Sequence, residues 1–344
     1  MIKRRSAFVI WHVRILTITA ACSLLLLLLI DGLASAGEGG KIAFSKLIGG
    51  KWQIVVTDEN GQNMINLSKN NKNDSEPSWS FDGEYIAFVS DRRGLSPNET
   101  QVYIMDADGS NQRLVTKRNE DVQDHYPCFS PDGKKLVFTR KTIGENLHLQ
   151  SNFDCKIFTI DIDGKNEEHL TAGFYARWSP DGKKMILNPF DDVVGLIQNN
   201  VATMDTDGKN QVNITDGADI EPSWSRNGKY IVFSSPRNGN SYEIYKMDSD
   251  GKNIVCLTNG GASWLPLGPS WSPDGKQIVF WNKIGNSTVP SMYKIYKVSV
   301  DGGNPIPITE GGCRDPSWFD PAFISINPAG KLVSTWSAIK IYRD

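Results

Sequence analysis

The sequence predicts an all-β fold, a six-bladed β-propeller of four-stranded antiparallel blades. A repeat of about 47 residues runs from position 41 almost to the end, and a period in this range with β-rich segments marks a propeller. One signature reads PSWSFDGEYIAF (77–88), PCFSPDGKKLVF (127–138), ARWSPDGKKMIL (176–187), PSWSRNGKYIVF (222–233) and PSWSPDGKQIVF (269–280). A second follows it: VYIMDADGSN (102–111), IFTIDIDGKN (157–166), VATMDTDGKN (201–210) and IYKMDSDGKN (244–253).

Each repeat divides into four short segments. Segment A is P-x-W-S, and B is the apolar run such as 85–89 or 230–234. Segment C is the 102–106 type, and D is a short run ending in Thr, such as 113–116 or 256–258. Between A and B sits S-P-D-G-K, where Pro presets φ and Gly takes the positive-φ position of a tight hairpin. Between C and D sits D-x-D-G-K-N, again a tight turn, with Asp side chains placed to bond local amides.

A segments centre on Trp79, Phe129, Trp178, Trp224, Trp271 and Trp318, which gives six. Recurring at one register, these aromatics are expected to pack between adjacent blades. The chain opens with B, C and D of a blade that lacks its A, beginning at 42–44 and 54–58. It ends on an A (316–318) without its own B, C and D. Joining the two closes the ring and removes exposed edges. After Trp318 the S-P-D-G hairpin is missing and 323–336 reads as a degraded A–B unit. Residues 37–319 are therefore assigned to the propeller. Residues 320–344 are a tail that either supplies the closing strand or begins a partial seventh blade.

The first 36 residues have a different logic. Lys3, Arg4, Arg5 and Arg14 precede or open an apolar run over 15–30, and Ala34-Ser35-Ala36 is a small-x-small cleavage pattern. This is expected to be a secretory signal, with a retained membrane anchor as the alternative. Six leucines continue the run after Cys22, which argues against lipid attachment there. Removing residues 1–36, with four basic and one acidic residue, leaves 33 basic and 38 acidic residues and a net charge near −5. No Lys/Arg cluster forms a phosphate-binding stripe, so nucleic acid is not an expected partner. Cys128, Cys155, Cys256 and Cys313 remain; they are read as free thiols, with Cys128–Cys155 the pair to test for a disulfide.

Connectivity separates two faces. The A–B and C–D turns are tight and repetitive, whereas the B–C loops (91–101, 140–156, 189–200, 282–293) and the D–A loops are individual. Variation confined to one face of a regular scaffold is the pattern of a recognition surface. D–A loops reach the axis, and just before the A segments stand Glu76, His125, Tyr126, Tyr175, Arg177, Glu221, Trp264, Arg314 and Asp315. This mixed ring could hold a peptide, a partner loop or a polar small molecule. The bland alternative is a hydrated channel whose polar residues only face water.

Signatures of catalysis are sparse. His125, His148 and His169 have no metal-ligand spacing, and neither a G-x-S-x-G elbow nor a P-loop occurs. The D-x-D-G turns lack the later ligands of a Ca²⁺ loop, so turn capping is the expectation. No cofactor or metal is expected. A carboxylate pair, Glu76 with Glu221 or Asp315, is the remaining acid–base option. Asn-x-Ser/Thr sites at Asn66, Asn73, Asn98, Asn213 and Asn286 inform only for a eukaryotic source.

P-x-W-S-P-D-G-K-x-I-x-F, then I-Y-x-M-D-x-D-G-x-N, then L-T resembles the TolB-type propeller repeat, a WD-like repeat of exported bacterial proteins. Ser90-Asp91-Arg92-Arg93-Gly94 resembles the family's S-D-R-x-G. The resemblance covers roughly 41–319 and implies the fold. In TolB the propeller follows an N-terminal α/β domain, and similar repeats precede the catalytic domain of prolyl-oligopeptidase-type peptidases. Here a stand-alone propeller is expected.

The expected function is a periplasmic or extracellular, non-catalytic module that captures an envelope or extracellular protein or peptide on its channel face. The alternatives are a polysaccharide-acting lyase or hydrolase with an axial site, and a carbohydrate-binding module stacking glycan on Tyr126, Tyr175 and Trp264. Contact with a membrane is expected only if the N-terminal segment stays uncleaved. The mature chain should begin at Gly37, which N-terminal sequencing of the exported protein checks; a start at Met1 would mean a retained anchor.

Overall fold

The computed structural model describes residues 40–320, apart from 94–98, 118–120, 144–152, 192–195, 198–199, 240, 262–263 and 284–288. The expected signal, most of the expected tail, His148 and parts of the B–C loops lie outside the described residues.

The described chain is all-β, with one short 3₁₀ turn at Pro290–Met292. Strands β1 (Lys41–Ile48), β2 (Lys51–Asp58) and β3 (Ile65–Asn66) form an antiparallel meander. Strands β4 (Asp74–Trp79), β5 (Tyr85–Ser90), β6 (Gln101–Asp106) and β7 (Arg113–Leu114) form the next. Then come β8 (Val122–Phe129), β9 (Lys135–Ile143), β10 (Phe153–Asp161) and β11 (Glu168–Trp178). They share one sheet with β12 (Lys184–Asp191), β13 (Leu196–Ile197), β14 (Ala202–Asp205) and β15 (Val212–Asn213). Two more meanders follow: β16 (Ile220–Trp224), β17 (Tyr230–Ser235), β18 (Glu243–Asp248) and β19 (Val255–Cys256), then β20 (Pro266–Trp271), β21 (Gln277–Lys283), β22 (Tyr293–Ser299) and β23 (Ile306–Pro307). Last, β24 (Cys313–Phe319) pairs antiparallel with β1, Ile42 opposite Trp318.

The sheets divide differently from the repeat count. Instead of six separate four-stranded sheets there are four of four strands and one of eight. The cause is β11, whose residues 168–172 pair with β10 while 173–178 pair with β12. Elsewhere a connection separates segment D from the next A. Here 168–178 stay extended throughout, so one strand serves both neighbours. The innermost strands pack in the order β4, β8, β11, β16, β20 and β24, and β24 returns to β4.

The apolar B and C runs are buried on both faces because each sheet is sandwiched between two others. Phe44, Phe88, Phe138, Phe233 and Phe280 occupy one register of segment B, all at 0% exposure. Each A-segment aromatic joins a different hydrophobic cluster between neighbouring sheets, from Trp79 with Phe88 and Tyr103 to Trp318 beside Ile42 and Phe44. Cys128, Cys155, Cys256 and Cys313 are free thiols.

The repeated polar residues serve the turns. In the A–B hairpin the Ser80 hydroxyl donates to Asp82 (2.6 Å) and accepts from the Tyr85 N–H (3.0 Å). Ser130, Ser179, Ser225 and Ser272 do the same in their repeats. In the C–D turn Asn111, at φ 52°, donates to Asp106 (2.7 Å), and Asn166, Asn210 and Asn253 repeat the clamp. The terminal hydroxyl of segment D, Ser68, Thr116, Thr215, Thr258 or Thr309, accepts the first N–H of its segment C. These motifs are local hydrogen-bond closures, because buried backbone groups must be paired.

A second repeated device lies deeper. Arg140 clasps the fully buried Asp124 through Nε (2.7 Å) and Nη2 (3.1 Å) and lies over the Phe158 ring at 4.8 Å. Arg92 with Asp74 over Tyr103, and Arg237 with Asp219 over Tyr245, repeat it. Removing one partner leaves an uncompensated buried charge, at ~3–5 kcal/mol. Arg140→Met should therefore lower stability by about 3 kcal/mol in urea unfolding, and adding Asp124→Asn should restore much of it. A double variant no better than Arg140→Met would show that packing, not charge, dominates.

No helix among the described residues is long and apolar enough to cross a membrane.

Candidate functional site

Every innermost strand breaks its register shortly before the P-x-W or A-x-W triplet. At the break one residue takes a left-handed conformation: Glu76 (φ 56°), Tyr126 (54°), Tyr175 (57°), Glu221 (55°), Gly268 (60°) and Asp315 (55°). Only Gly268 is a glycine, and each of the others bears a cost on the order of 1 kcal/mol. A bulge of this kind redirects a side chain.

Those six residues, with Arg177, Arg314 and Trp281, line one axial cavity of about 540 Å³, its open mouth included. That volume lies in the ~300–1,000 Å³ range of small-ligand pockets and also fits inserted peptide side chains. The middle residues of the triplets (Ser78, Cys128, Arg177, Ser223, Ser270 and Ser317) stand one turn further along the axis, around a second cavity. Arg177 is the large side chain among them and lines both spaces.

Seven of the nine residues read from the sequence line the first cavity: Glu76, Tyr126, Tyr175, Arg177, Glu221, Arg314 and Asp315. Two assignments need correction. His125 stands behind the wall, its Nδ1 2.9 Å from Glu76 Oε1. Trp264 packs inside its sheet, edge-on to Tyr296 at 5.0 Å and to Phe280 at 6.3 Å. It fills the place that Arg92, Arg140 and Arg237 take over the corresponding rings. Gly268 and Trp281 line the cavity instead, and both were readable by register. Gly268 directly precedes P-S-W, and Trp281 falls where other repeats carry Ser45, Thr139, Asn188 and Ser234.

The bulge amides are satisfied in two ways. Glu76, Tyr175 and Glu221 donate their N–H to Ser45 Oγ (3.0 Å), Thr139 Oγ1 (3.1 Å) and Asn188 Oδ1 (3.0 Å) on the preceding repeat. After Val89, which has no acceptor, the Tyr126 N–H donates to the Glu76 carboxylate (2.7 Å). The Gly268 N–H likewise donates to Glu221 (2.5 Å). Asp315 accepts the Ser45 hydroxyl at 3.0 Å. On the opposite wall the Tyr126 and Tyr175 rings lie 4.8 Å apart, with the Arg177 guanidinium 4.2 Å from the Tyr175 centroid. Arg314 rests over Trp52 at 4.4 Å.

Burial sets the electrostatics. It works to raise the Glu76 carboxyl, but the charge and hydrogen bond of His125 and the Tyr126 amide hold it below its ordinary value. Burial works to lower His125, and Glu76 overrides it upward, so the pair favours its ionised form. Glu221 has no such partner. Burial pushes it up to about 7 despite the Gly268 amide, and the charge of Asp315 adds to the shift. Burial also raises Asp315, with Glu76 adding and Arg314 opposing. Burial raises Tyr126 and Tyr175, which stay neutral phenols. Burial acts to lower Arg177 and Arg314, but neighbouring groups, Tyr175 for one and Asp315 for the other, raise both. The cavity thus offers ion pairs, phenols and one carboxyl that exchanges its proton near neutrality. No group of three or more His, Cys, Asp or Glu suited to a metal ion occurs among the described residues.

Comparison with known proteins agrees with this architecture. Residues 34–177 and 126–322 match the TolB beta propeller domain. A Tol-Pal system protein TolB from Bordetella parapertussis is 30% identical over 243 residues, 58% of this chain and 53% of that protein. The chain spans about half the length of curated relatives such as this one. TolB from Acinetobacter baumannii superposes with a TM-score of 0.63 at 22% identity, covering 82% of this chain and 67% of that one. An oligogalacturonate lyase in complex with manganese superposes with a TM-score of 0.53 at 16% identity, covering 78% and 74%. At such identities the structural likenesses speak for the fold alone. With a domain match spanning most of its length, the chain belongs to the TolB β-propeller family.

Proposed function

We propose that this chain is an exported propeller that captures a segment of an envelope or extracellular protein in its axial cavity without transforming it. Counted with β11 serving two blades, its sheets make six blades. The cyclic packing of six inner strands supports that count. Residues 1–36 act as the export signal, and Glu76, Tyr126, Tyr175, Arg177, Glu221, Arg314 and Asp315 form the binding surface. The observation that carries this reading is the strained bulge repeated around the axis, which holds five non-glycine side chains at the wall of one cavity. Backbone strain kept in place by its surroundings gathers at functional sites. Family membership supports a protein partner, since TolB from Bordetella belongs to a multi-protein Tol-Pal system.

A second reading, a lyase or hydrolase acting on polysaccharide, is favoured by one observation. Glu221, raised to about 7 by burial, has the proton affinity of a general acid or base at neutral pH. The likeness to an oligogalacturonate lyase supports only the fold's capacity for such a site.

A photo-crosslinking residue at position 175 should yield a discrete adduct in envelope extract, while one at the outer, exposed Val212 should not. Equal adducts at both positions, or none at 175, would sink the capture reading. Turnover of oligogalacturonate by the purified chain, lost in Glu221→Gln, would replace it with the lyase.

Glu221 also gives stability a defined pH dependence. Its folded pKa of about 7 lies above the ordinary 4.5, so across that window the folded chain holds a proton that the unfolded chain has released. Stability should therefore fall as pH rises from 4.5 to 7. In Tm measurements against pH, Glu221→Gln should flatten that slope; an unchanged slope would assign it elsewhere.

A further inference from the structure

The axial channel has a second cavity on the side of the A–B hairpins, about 790 Å³ with its mouth included. Its chemistry is the reverse of the first. No Asp or Glu lines it; indoles, serines and two guanidiniums do. Three of those indole nitrogens, on Trp79, Trp178 and Trp224, are buried without a hydrogen-bond partner. Trp79 and Trp178 are only 9% and 8% exposed, so their N–H groups have lost water as well. Trp271, at the same register, shows the usual solution, donating to the Ser223 carbonyl at 3.1 Å. A buried donor left unpaired costs about 1–3 kcal/mol, so three in one cavity point to an acceptor that belongs there.

Arg226 adds a charge that the scaffold does not need. Its hairpin reads S-R-N-G where other repeats place Pro131, Pro180 or Pro273. The side chain crosses the mouth from β16 to β4, three places around the cycle of inner strands. There its guanidinium lies 5.9 Å from the Phe81 ring centroid and Nη2 reaches the Phe81 carbonyl at 3.4 Å. Its Nε is buried and unpartnered. Burial lowers its pKa, and Asp320, the acidic residue acting on it, is not among the residues lining the cavity.

We propose that this cavity is an oxyanion site, in which the N–H groups of Trp79, Trp178, Trp224 and Arg226 hold a compact anion. A carboxylate at a peptide terminus and a free inorganic anion share this chemistry. Both offer several acceptor oxygens to convergent donors, and charge-assisted bonds of this kind are about twice as strong as neutral ones.

The test uses the mature full chain with ¹⁵N-labelled tryptophan. It is titrated with sodium sulfate, and separately with a short peptide bearing a free or an amidated C-terminus, at constant ionic strength set with chloride. The indole N–H resonances of Trp79, Trp178 and Trp224, assigned by Trp→Phe variants, should shift and saturate, while that of Trp271 should stay in place. Arg226→Pro should weaken binding at least tenfold, and it restores the residue that three other hairpins carry, so folding is retained. Glu221→Gln, in the other cavity, should leave the titration unchanged. Saturation by sulfate alone would identify a free anion as the ligand. Saturation by the free-carboxyl peptide and not its amide would identify a chain terminus. Indole resonances that do not move with any probe, or that move equally in Arg226→Pro, would overturn the proposal.

Discussion

The structure depends on one backbone event repeated around its axis, the left-handed residue that interrupts each innermost strand. An unbroken strand would send alternate side chains into the neighbouring sheets, leaving the channel wall to small residues. The bulge breaks that alternation and places Glu76, Tyr126, Tyr175, Glu221 and Asp315 at the wall of a shared space. The strain is offset by capture of the bulge amide. Where the preceding repeat offers Ser45, Thr139 or Asn188, that residue accepts; after Val89, the carboxylate of Glu76 does so itself. An acidic residue at this position can thus be structural and exposed to a ligand at once. Conservative replacements are the ones that separate the two roles.

Around the bulges, repetition and chemistry divide cleanly. Residues that recur at fixed offsets, such as the hairpin serines, the Asp–Asn pairs and the hydroxyl closing segment D, are consumed in local hydrogen bonds. Residues that differ at an equivalent position are the ones facing open space. The six bulge residues and the six triplet centres carry the same backbone role, yet they include three acids, two tyrosines, an arginine and a cysteine. A scaffold whose stability is secured by the repeated set leaves the unrepeated set free to vary with ligand.

This division decided what was legible in the sequence. Turn chemistry, strand pattern and the pairing of the chain's two ends follow from local signals, since each is set within a few residues or by a leftover segment. The eight-stranded sheet was not legible, because whether Ala172 and Gly173 form a connection or continue a strand depends on how β11 meets both neighbours. Trp264 was misplaced because the D–A loop of its repeat is longer, and position relative to P-S-W was read by nearness, not by register. Counting back one residue from the proline gives Gly268 directly. The second mouth was overlooked because its hairpins are short and regular. Regularity of backbone did not mean uniformity of side chains, and the S-R-N-G hairpin carried that signal in plain view.

The channel is therefore two chemically opposite chambers joined at Arg177. On one side lie carboxylates, among them Glu221 near its titration point. On the other lie indole donors and Arg226. Arg177 donates to the Tyr126 and Ala176 carbonyls at 2.9 and 3.2 Å, which fixes its guanidinium in the waist. Its charge is the nearest thing the two chambers share. When Glu221 releases its proton, the acidic chamber gains a negative charge that draws on Arg177, and the field this arginine presents to the donor chamber weakens. Coulomb coupling over such distances survives because burial removes the water that would screen it. Occupancy of either chamber and the protonation of Glu221 are thus linked through one fixed cation, with no movement of the sheets required.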